Sequence, residues 1–159
     1  MPATVIFAAR LTRMASDNLS SGYAGDLSAP EAWEMLRSDK AAQLVDVRTQ
    51  AEWSFVGVPD LSEVGRRVHC VEWQGFPSMA QNPAFAGQVA AALGTGRDKA
   101  LLFLCRSGGR SRAAAMAMTA AGYERAYNIA GGFEGDLDQN GHRGQQNGWK
   151  ASGLPWKQT

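Results

Sequence analysis

The residues most able to do chemistry lie in one short segment, CRSGGRS, at positions 105–111. It begins with a potential nucleophile, Cys105, and carries two arginines, Arg106 and Arg110. The glycine pair between the arginines allows backbone conformations that other residues resist. A tight loop of this kind turns successive N–H groups inward and forms a concave site for anions. The segment therefore predicts a cysteine nucleophile held in an anion-binding loop.

The segments on either side predict how this loop is positioned. Residues 100–104 have no polar interruption, which is typical of a strand buried on both faces of a parallel sheet. Residues 110–121 predict a helix that Gly122 ends. Cys105 then lies at the carboxyl end of a parallel strand, the edge where α/β folds bind ligands. The helix dipole that follows favours a thiolate over a thiol.

The rest of the chain alternates between predicted helices and strands. Ser28 and Glu31 form a capping-box pattern, which starts a helix that runs to about Ser38. Further strands are predicted at 44–48, 68–73 and 126–130, and further helices around Trp53 and Phe55 and over 84–93. This alternation indicates the α/β class, with a mainly parallel central sheet flanked by helices.

Composition and charge argue against several classes of function. The chain has 159 residues, of which 45% are hydrophobic and 19% charged, and this suits one compact domain. The net charge of +1 gives no reason to expect nucleic acid or an anionic membrane as a partner. No apolar run approaches the roughly 20 residues that span a bilayer. Two cysteines outside any Cys/His cluster predict no metal site, and no motif indicates a cofactor.

Three motifs, in this order along the chain, resemble the rhodanese family. LVDVR at 44–48 is followed by EWSFVG at 52–57, then by the CRSGGRS loop, and finally by YNIAGGF at 127–133. The resemblance covers roughly residues 26–136 and implies a single rhodanese-like domain. One departure is GVPDL at 57–61, where many members have Gly-His-Ile-Pro-Gly-Ala, so this surface is expected to differ.

The resemblance implies that the chain is a sulfurtransferase with a double-displacement mechanism. Cys105 attacks the outer sulfur of a small anionic donor such as thiosulfate and holds it as a persulfide, which backbone N–H groups stabilise. A thiophilic acceptor, such as a small thiol or a protein cysteine, then takes the sulfur. The residues expected to bind the substrate follow the cysteine directly: Arg106, Ser107, Gly108, Gly109, Arg110 and Ser111.

The two arginines are expected to differ in role. Arg106 is favoured for the substrate, because Arg110 at the start of the helix also has a structural interpretation. By resemblance to one branch of the family, an arginine at the second position of the loop favours thiosulfate as the sulfur donor. Mercaptopyruvate and a protein persulfide are the alternative donors. The resemblance also implies that Asp46, Arg48 and Glu52 support the site without reacting. Arg48 is expected to pair with Glu52.

Two other functions compete with sulfur transfer. Cysteine-dependent phosphatases also hold a thiolate in an N–H-lined loop that ends with arginine, but their pattern has five residues between Cys and Arg. Here four residues separate Cys105 from Arg110, which makes a smaller cradle. The second competitor is a rhodanese-like module that docks a protein partner or relays a persulfide to it. The intact cysteine loop favours catalysis over docking alone.

The ends of the chain are predicted to differ from its centre. Residues 1–22 are expected to be a disordered extension. Residues 1–16 faintly resemble a transit peptide, and the alternative is that residues 1–13 precede a natural start at Met14. Residues 23–136 form the predicted domain. Residues 137–159 form a Gly-rich tail that is either flexible or pinned by Trp149 and Trp156, and its two tryptophans favour pinning.

The second cysteine, Cys70, has two interpretations. Its place inside a predicted strand favours packing in the core, since cysteine is among the most buried residue types. The alternative is a resolving thiol that forms a disulfide with Cys105. A long chain with few cysteines and no need of a disulfide predicts a reducing, cytoplasmic location.

Overall fold

The computed structural model describes residues 22–94 and 96–158, so the extension predicted over residues 1–22 lies almost entirely outside the described residues. Elements are numbered in chain order. The central sheet contains β1 (Gly25–Leu27), β2 (Gln43–Asp46), β4 (His69–Cys70), β7 (Leu101–Leu104) and β8 (Ala126–Ile129). All adjacent pairs are parallel, and the order across the sheet is β1–β8–β7–β2–β4.

Helices and short antiparallel pairs complete the fold. The helices are α1 (Ala29–Ser38), α2 (Gln50–Phe55), α3 (Phe85–Leu93), α4 (Gly109–Ala120) and α5 (Gly148–Ala151), with a 3-10 turn at Ser62–Val64. Outside the sheet, β3 (Val58–Pro59) pairs with β9 (Trp156–Lys157), and β5 (Gln74–Gly75) pairs with β6 (Ala80–Gln81). The predicted fold class, an α/β domain with a mainly parallel central sheet, is confirmed.

The sheet is covered on both faces, which explains the unbroken apolar run of β7. Leu102 and Leu104 belong to one buried cluster, which also contains Leu36 of α1. Leu101 and Phe103 belong to the other, which contains residues of α3 and α4. Successive side chains of a strand point to opposite faces, so a strand buried on both faces needs apolar residues at every position.

The capping box predicted for α1 is confirmed. Ser28 Oγ accepts the backbone N–H of Glu31 at 3.2 Å, and the backbone N–H of Ser28 donates to Glu31 Oε1 at 3.0 Å. These two bonds satisfy N–H groups that have no partner within the helix. The first helix therefore begins where the local sequence places it.

The strand predicted over 68–73 is shorter in the structure, and the expectation that Cys70 packs in the core is wrong. Only His69–Cys70 form β4, and Cys70 is exposed. This strand is at the edge of the sheet and pairs with β2 alone, in contrast to the fully paired β7. An apolar pattern does not reveal whether a strand is central or at an edge, and that position determines how deeply its residues are buried.

The Gly-rich tail is ordered and pinned by its tryptophans. Trp149 is fully buried, and its ring meets that of Trp33 edge to face at 5.8 Å between centroids. Its indole N–H donates to the carbonyl of Pro155 at 2.7 Å. Trp156 is 39% exposed and stacks edge to face on Phe133 at 6.1 Å. Trp149 thus fills part of the core beside α1, and β9 closes against β3.

Replacing Trp149 by alanine is expected to lower the free energy of unfolding by about 3–5 kcal/mol, because a fully buried indole leaves a cavity. Trp156→Ala is the matched control and is expected to cost less than half as much, since that ring is partly exposed. Urea denaturation followed by circular dichroism measures both. A cost below about 1 kcal/mol for Trp149→Ala would show that the tail is not part of the cooperative core.

Candidate active site

Cys105 directly follows β7 and is 1% exposed. Its sulfur accepts the backbone N–H of Gly108 at 3.1 Å and lies 3.1 Å from the hydroxyl oxygen of Ser111. Gly108 is the N-cap of α4 and has a φ of 115°, a conformation that favours glycine. The strand and the helix therefore hold the sulfur inside a tight loop, as the sequence predicts.

A second backbone segment clamps this loop from outside. The backbone N–H of Phe133 donates to the carbonyl of Cys105 at 2.8 Å, and that of Glu134 donates to the carbonyl of Arg106 at 3.0 Å. Gly132, with a φ of 60°, approaches the loop so closely that a Cβ atom there would collide with the Cys105 carbonyl. Gly132, the second glycine of the third motif, is thus required by this close approach and not by a turn alone.

The loop keeps backbone donors unused. Within the part of the chain that the structure describes, the N–H groups of Ser107, Gly109 and Arg110 have no acceptor. Gly109 and Arg110 begin α4, where the first N–H groups have no partner within the helix. Together with the helix dipole, these donors make the loop suited to bind a small anion or an anionic sulfur.

Asp46 and Arg48 lie behind the loop as a fully buried ion pair. Arg48 Nη2 is 2.7 Å from Asp46 Oδ2, and both side chains have no exposed surface. Arg48 also donates to the carbonyl of Gly57 at 2.7 Å, and its guanidinium stands 4.3 Å from the ring centre of Phe133. The expected pairing of Arg48 with Glu52 is therefore wrong. Arg48 points into the core, where the carboxylate two residues earlier meets it.

Glu52 pairs instead with Arg110 of the loop. The contact is bidentate, with distances of 2.7 Å and 3.0 Å, and both side chains are mostly buried. Glu52 also closes a capping box with Thr49 at the start of α2. Burial raises the pKa of Glu52, but its hydrogen bonds to Arg110 and the charge of Arg110 outweigh burial and hold the pKa below its ordinary value. Glu52 is therefore ionised at neutral pH.

The other arginine of the loop, Arg106, is exposed and forms no ion pair with any residue in 22–94 or 96–158. It borders a cavity of about 500 Å³ next to the loop, and Cys105 itself does not line this cavity. The lining combines the two arginines with apolar and polar side chains: Thr49, Ala51, Glu52, Val56, Gln74, Phe76, Met79, Arg106 and Arg110. Arg110 is neutralised by Glu52, so Arg106 is the cation left for an anionic ligand.

The apolar edge of this cavity was not identified from the sequence. Phe76 is 66% exposed and Met79 is also exposed, and both lie between β5 and β6. Phe55, 81% exposed, ends the helix that carries Glu52. No sequence pattern points to these residues, because isolated apolar residues on a surface are common. The pattern Thr49-x-x-Glu52 is a signal of a helix start that local reasoning could have used.

The sheet register argues against a disulfide between the two cysteines. Asp46 of β2 aligns with Cys70 on one side and with Leu104 on the other. Cys70 is therefore about two strand spacings, close to 10 Å, from the strand that carries Cys105, beyond the reach of a disulfide without backbone movement. Although Cys70 is exposed, partial desolvation and then the Asp46 carboxylate raise the pKa of its thiol to about 12.

The described part of the chain has neither a metal-binding cluster nor a membrane-spanning helix. No group of three or more His, Cys, Asp or Glu side chains in this part of the chain is placed to hold a metal ion. Among the same residues, no helix has the length and apolar character needed to cross a membrane. Trp149 and Lys150 of the tail do not line the cavity. Lys150 Nζ stands over the Trp156 ring at 4.0 Å.

The parallel sheet, the cysteine loop and the glycine pair that clamps it define a rhodanese-like domain. The chain belongs to the family described as the STR4 middle domain, whose model matches residues 24–159. The match extends through the Gly-rich tail, in agreement with the burial of Trp149.

Several known proteins are similar to the chain. An uncharacterised protein of Rickettsia prowazekii is 37% identical over 132 residues, which cover 83% of this chain and 96% of that protein. Rv0390 from M. tuberculosis has a crystal structure that is 50% identical, with a TM-score of 0.78, covering 86% of this chain and 99% of that one. A chloroplastic protein of Oryza sativa named thylakoid rhodanese-like is 29% identical over 132 residues, a quarter of its own length.

A likeness in fold alone extends further. The polysulfide-sulfur transferase homodimer from Wolinella succinogenes matches with a TM-score of 0.56 and 20% identity, covering 98% of this chain and 90% of that one.

Glu52→Gln is expected to reduce stability at neutral pH by about 1–2 kcal/mol, because it removes charge-assisted hydrogen bonds in a mostly buried place. The pKa of Glu52 is lowered in the folded state, so its stabilisation is complete above the ordinary glutamate pKa of about 4.3. It disappears as the pH falls through the lowered value. The difference between Glu52→Gln and the unmodified chain should therefore shrink in acid, which urea titrations at several pH values measure.

Glu34→Gln is the control for this prediction. Its pair with Arg37 is largely exposed, so its removal is expected to change stability by a few tenths of a kcal/mol at any pH. A constant difference for Glu52→Gln at all pH values would show that packing, and not charge, explains the loss.

Proposed function

We propose that the chain is a sulfurtransferase that moves a sulfane sulfur from a donor such as thiosulfate to a thiophilic acceptor, through a persulfide on Cys105. The observation that carries the proposal is the place of the Cys105 sulfur, inside a loop with one N–H already donated to it and others unused. A persulfide places a second, negatively charged sulfur in such a loop, where backbone N–H groups stabilise it. We expect no cofactor.

The first half-reaction follows from this arrangement. The Cys105 thiolate attacks the outer sulfur of thiosulfate, a new S–S bond forms, and the S–S bond of the donor breaks. Sulfite leaves with the electron pair of the broken bond. Because Cys105 is only 1% exposed, the outer sulfur of the donor has to enter the loop, which a single atom does more readily than a bulky group. Arg106 is the cation proposed to hold the sulfite end of the donor.

The second half-reaction returns the enzyme to its starting state. An acceptor thiolate attacks the outer sulfur of the persulfide, and Cys105 leaves as a thiolate. Phe76 and Met79 line the cavity, and Phe55 is exposed at the end of the helix whose Glu52 lines it, so this apolar surface is larger than an inorganic anion needs. It favours an acceptor or donor with an apolar body, such as a protein segment that carries a cysteine. Relay of the persulfide to a protein partner is therefore the second candidate function.

The site does not suit a phosphatase. Phosphate ester cleavage needs a general acid that protonates the leaving alcohol. The carboxyl group that lines the cavity, Glu52, is bound to Arg110 and has a lowered pKa, so it is ionised at neutral pH and has no proton to give. The four residues between Cys105 and Arg110 also make a smaller loop than the phosphatase pattern.

The proposal includes a reducing, cytoplasmic location. Cys70 and Cys105 are both free thiols in the structure. The cycle consumes and regenerates a reduced Cys105, which an oxidising compartment would remove from the reaction.

Intact-mass measurement of the reduced protein, before and after incubation with thiosulfate, tests the proposal. The expected result is a gain of one sulfur, which cyanide removes as thiocyanate. The variant Cys105→Ser should gain none, while Cys70→Ser should gain sulfur as the unmodified chain does. If Cys105 takes up no sulfur from thiosulfate, from an organic persulfide or from a protein persulfide, the sulfurtransferase proposal fails.

Arg106→Gln is expected to raise the KM for thiosulfate about tenfold with a smaller effect on kcat. The reason is that Arg106 is the unpaired cation at the cavity, and a hydrogen bond between charged groups is worth about 1.5–3 kcal/mol. Steady-state formation of thiocyanate measures it. Arg67→Gln, an exposed arginine outside the cavity lining, is the matched control and should leave KM unchanged. Equal effects of the two substitutions would mean that only the overall charge of the protein attracts the donor.

A further inference from the structure

A line of hydrogen bonds leads from the Cys105 sulfur to the outermost strand of the sheet. Cys105 Sγ lies 3.1 Å from Ser111 Oγ, which donates to Asn128 Oδ1 at 2.6 Å. Asn128 Nδ2 in turn donates to Asp26 Oδ1 at 3.0 Å. Asn128 and Asp26 are aligned on the adjacent strands β8 and β1. Because Ser111 and Asn128 are almost fully buried, water does not compete for these contacts in the middle of the line.

The direction of the hydrogen bonds is determined at the Asp26 end. A carboxylate only accepts hydrogen bonds, so Asn128 has to turn its NH₂ group towards Asp26 and its carbonyl oxygen towards Ser111. Tyr23 OH donates to the same Asp26 oxygen at 2.9 Å. Burial, and then the hydrogen bond to Asp26, raise the pKa of Tyr23, so its hydroxyl keeps its proton and remains a donor.

This direction limits what Ser111 can do for the sulfur. A serine hydroxyl has one hydrogen, and here that hydrogen is donated to Asn128. The oxygen of Ser111 can then only accept from Cys105, which requires the sulfur to carry a hydrogen. A thiolate in the same place would face a lone pair of Ser111. The line of hydrogen bonds is therefore complete for the thiol and incomplete for the thiolate.

We propose that Asp26 is a positioning residue for the sulfur chemistry, which acts through Asn128 and Ser111 to favour the neutral thiol of Cys105. The inference rests on the proposed function, because it concerns the thiolate that attacks the donor. It adds that a group two strands away from the sulfur, Asp26, opposes the formation of that thiolate. Asp26 touches neither the sulfur nor the cavity.

Other groups lie at the two ends of this line of hydrogen bonds, and the group at the sulfur acts against the proposed effect of Asp26. At the sulfur, the Gly108 N–H donates a hydrogen bond, which a thiolate accepts more strongly than a thiol does. At the other end, Arg112 Nη2 of α4 stands 3.9 Å from Asp26 Oδ2. The free enzyme is thus held between two opposing influences. The persulfide is outside this balance, because its Sγ carries no hydrogen in either case.

Asp26→Asn is the variant that separates these influences. An asparagine side chain can donate as well as accept, so it allows Asn128 to turn its amide over. Asn128 can then donate to Ser111, and Ser111 can donate to the sulfur. The thiolate then accepts a hydrogen bond from Ser111, which it cannot accept when Asp26 is present.

The experiment follows the ultraviolet absorbance of the thiolate against pH in a Cys70→Ser background, as the difference from the same protein with Cys105→Ser. Asp26→Asn is expected to lower the pH of half-ionisation by at least about one unit, the size of one hydrogen bond to a charged group, to which the loss of the Asp26 charge adds. Asp98→Asn, a substitution of an exposed carboxylate outside the line, is the matched control and should leave the midpoint unchanged. An unchanged midpoint in folded Asp26→Asn overturns the proposal.

A second comparison separates the hydrogen bonds from charge alone. In a Ser111→Ala background the line is cut, and Asp26→Asn should shift the midpoint only by the effect of its charge. One charge about 10 Å away is worth about 0.3 unit in a water-like dielectric and about 1.2 units at an effective dielectric constant of about 20, so the shift in the intact line should exceed the shift in Ser111→Ala by about one unit. Equal shifts in the two backgrounds also overturn the proposal.

Thermal melting checks that each variant is folded, and Asp26→Ser, which can also donate, serves if Asp26→Asn is not. The titration needs no sulfur donor. A protein that titrates as expected but takes up no sulfur would contradict the proposed function and leave this inference standing.

Discussion

The buried pair of Asp46 and Arg48 is the interaction on which the site depends. Two charges without exposed surface are costly to desolvate, and they persist only when hydrogen bonds satisfy them. Arg48 meets most of this condition by binding Asp46 and the Gly57 carbonyl and by lying over the Phe133 ring, while its Nη1 has no hydrogen-bond partner among the described residues. Phe133 in turn donates its backbone N–H to the Cys105 carbonyl. Loss of either charge would leave the other unpaired in the core, a cost of about 3–5 kcal/mol.

This arrangement connects distant parts of the chain through the backbone of the cysteine loop. β2 contributes the ion pair, β7 and α4 contribute the loop, and the segment after β8 clamps it. The tail completes the assembly, because Trp149 donates its backbone N–H to the Gly132 carbonyl at 2.8 Å. Hydrogen bonds from segments outside the loop therefore hold it rigid. Rigidity matters for its proposed task, since N–H donors stabilise an anionic sulfur only when they are oriented in advance.

The charges around the loop are divided between structure and substrate. Arg110 is bound to Glu52, and Arg48 to Asp46, so both are committed to holding the fold. Arg106 remains exposed beside the cavity. On the opposite side of the sulfur, Ser111 and Asn128 connect it to Asp26. The sulfur thus lies between the N–H donor of Gly108 and the line of hydrogen bonds that leads to Asp26.

The local sequence was sufficient for the first four helices and for the place of Cys105 directly after a central strand. The α1 helix begins at its predicted capping box, and the unbroken apolar run of β7 correctly indicated a central strand that ends at Cys105. These features depend on neighbouring residues, whose hydrogen bonds and side-chain directions follow from short-range geometry. The motif order was also enough to predict the fold class.

The tertiary structure alone decided the partners of charged groups and the exposure of residues at edges. Glu52 and Arg110 are far apart in the sequence, and Arg48 has two carboxylates within reach along the chain, so spacing could not show which pairs form. Cys70 is exposed because β4 lies at the edge of the sheet, a position set by strand order. Asp26 comes near Asn128 only because β1 pairs with β8. Each of these contacts depends on how the strands are ordered, and no local pattern in the sequence records that order.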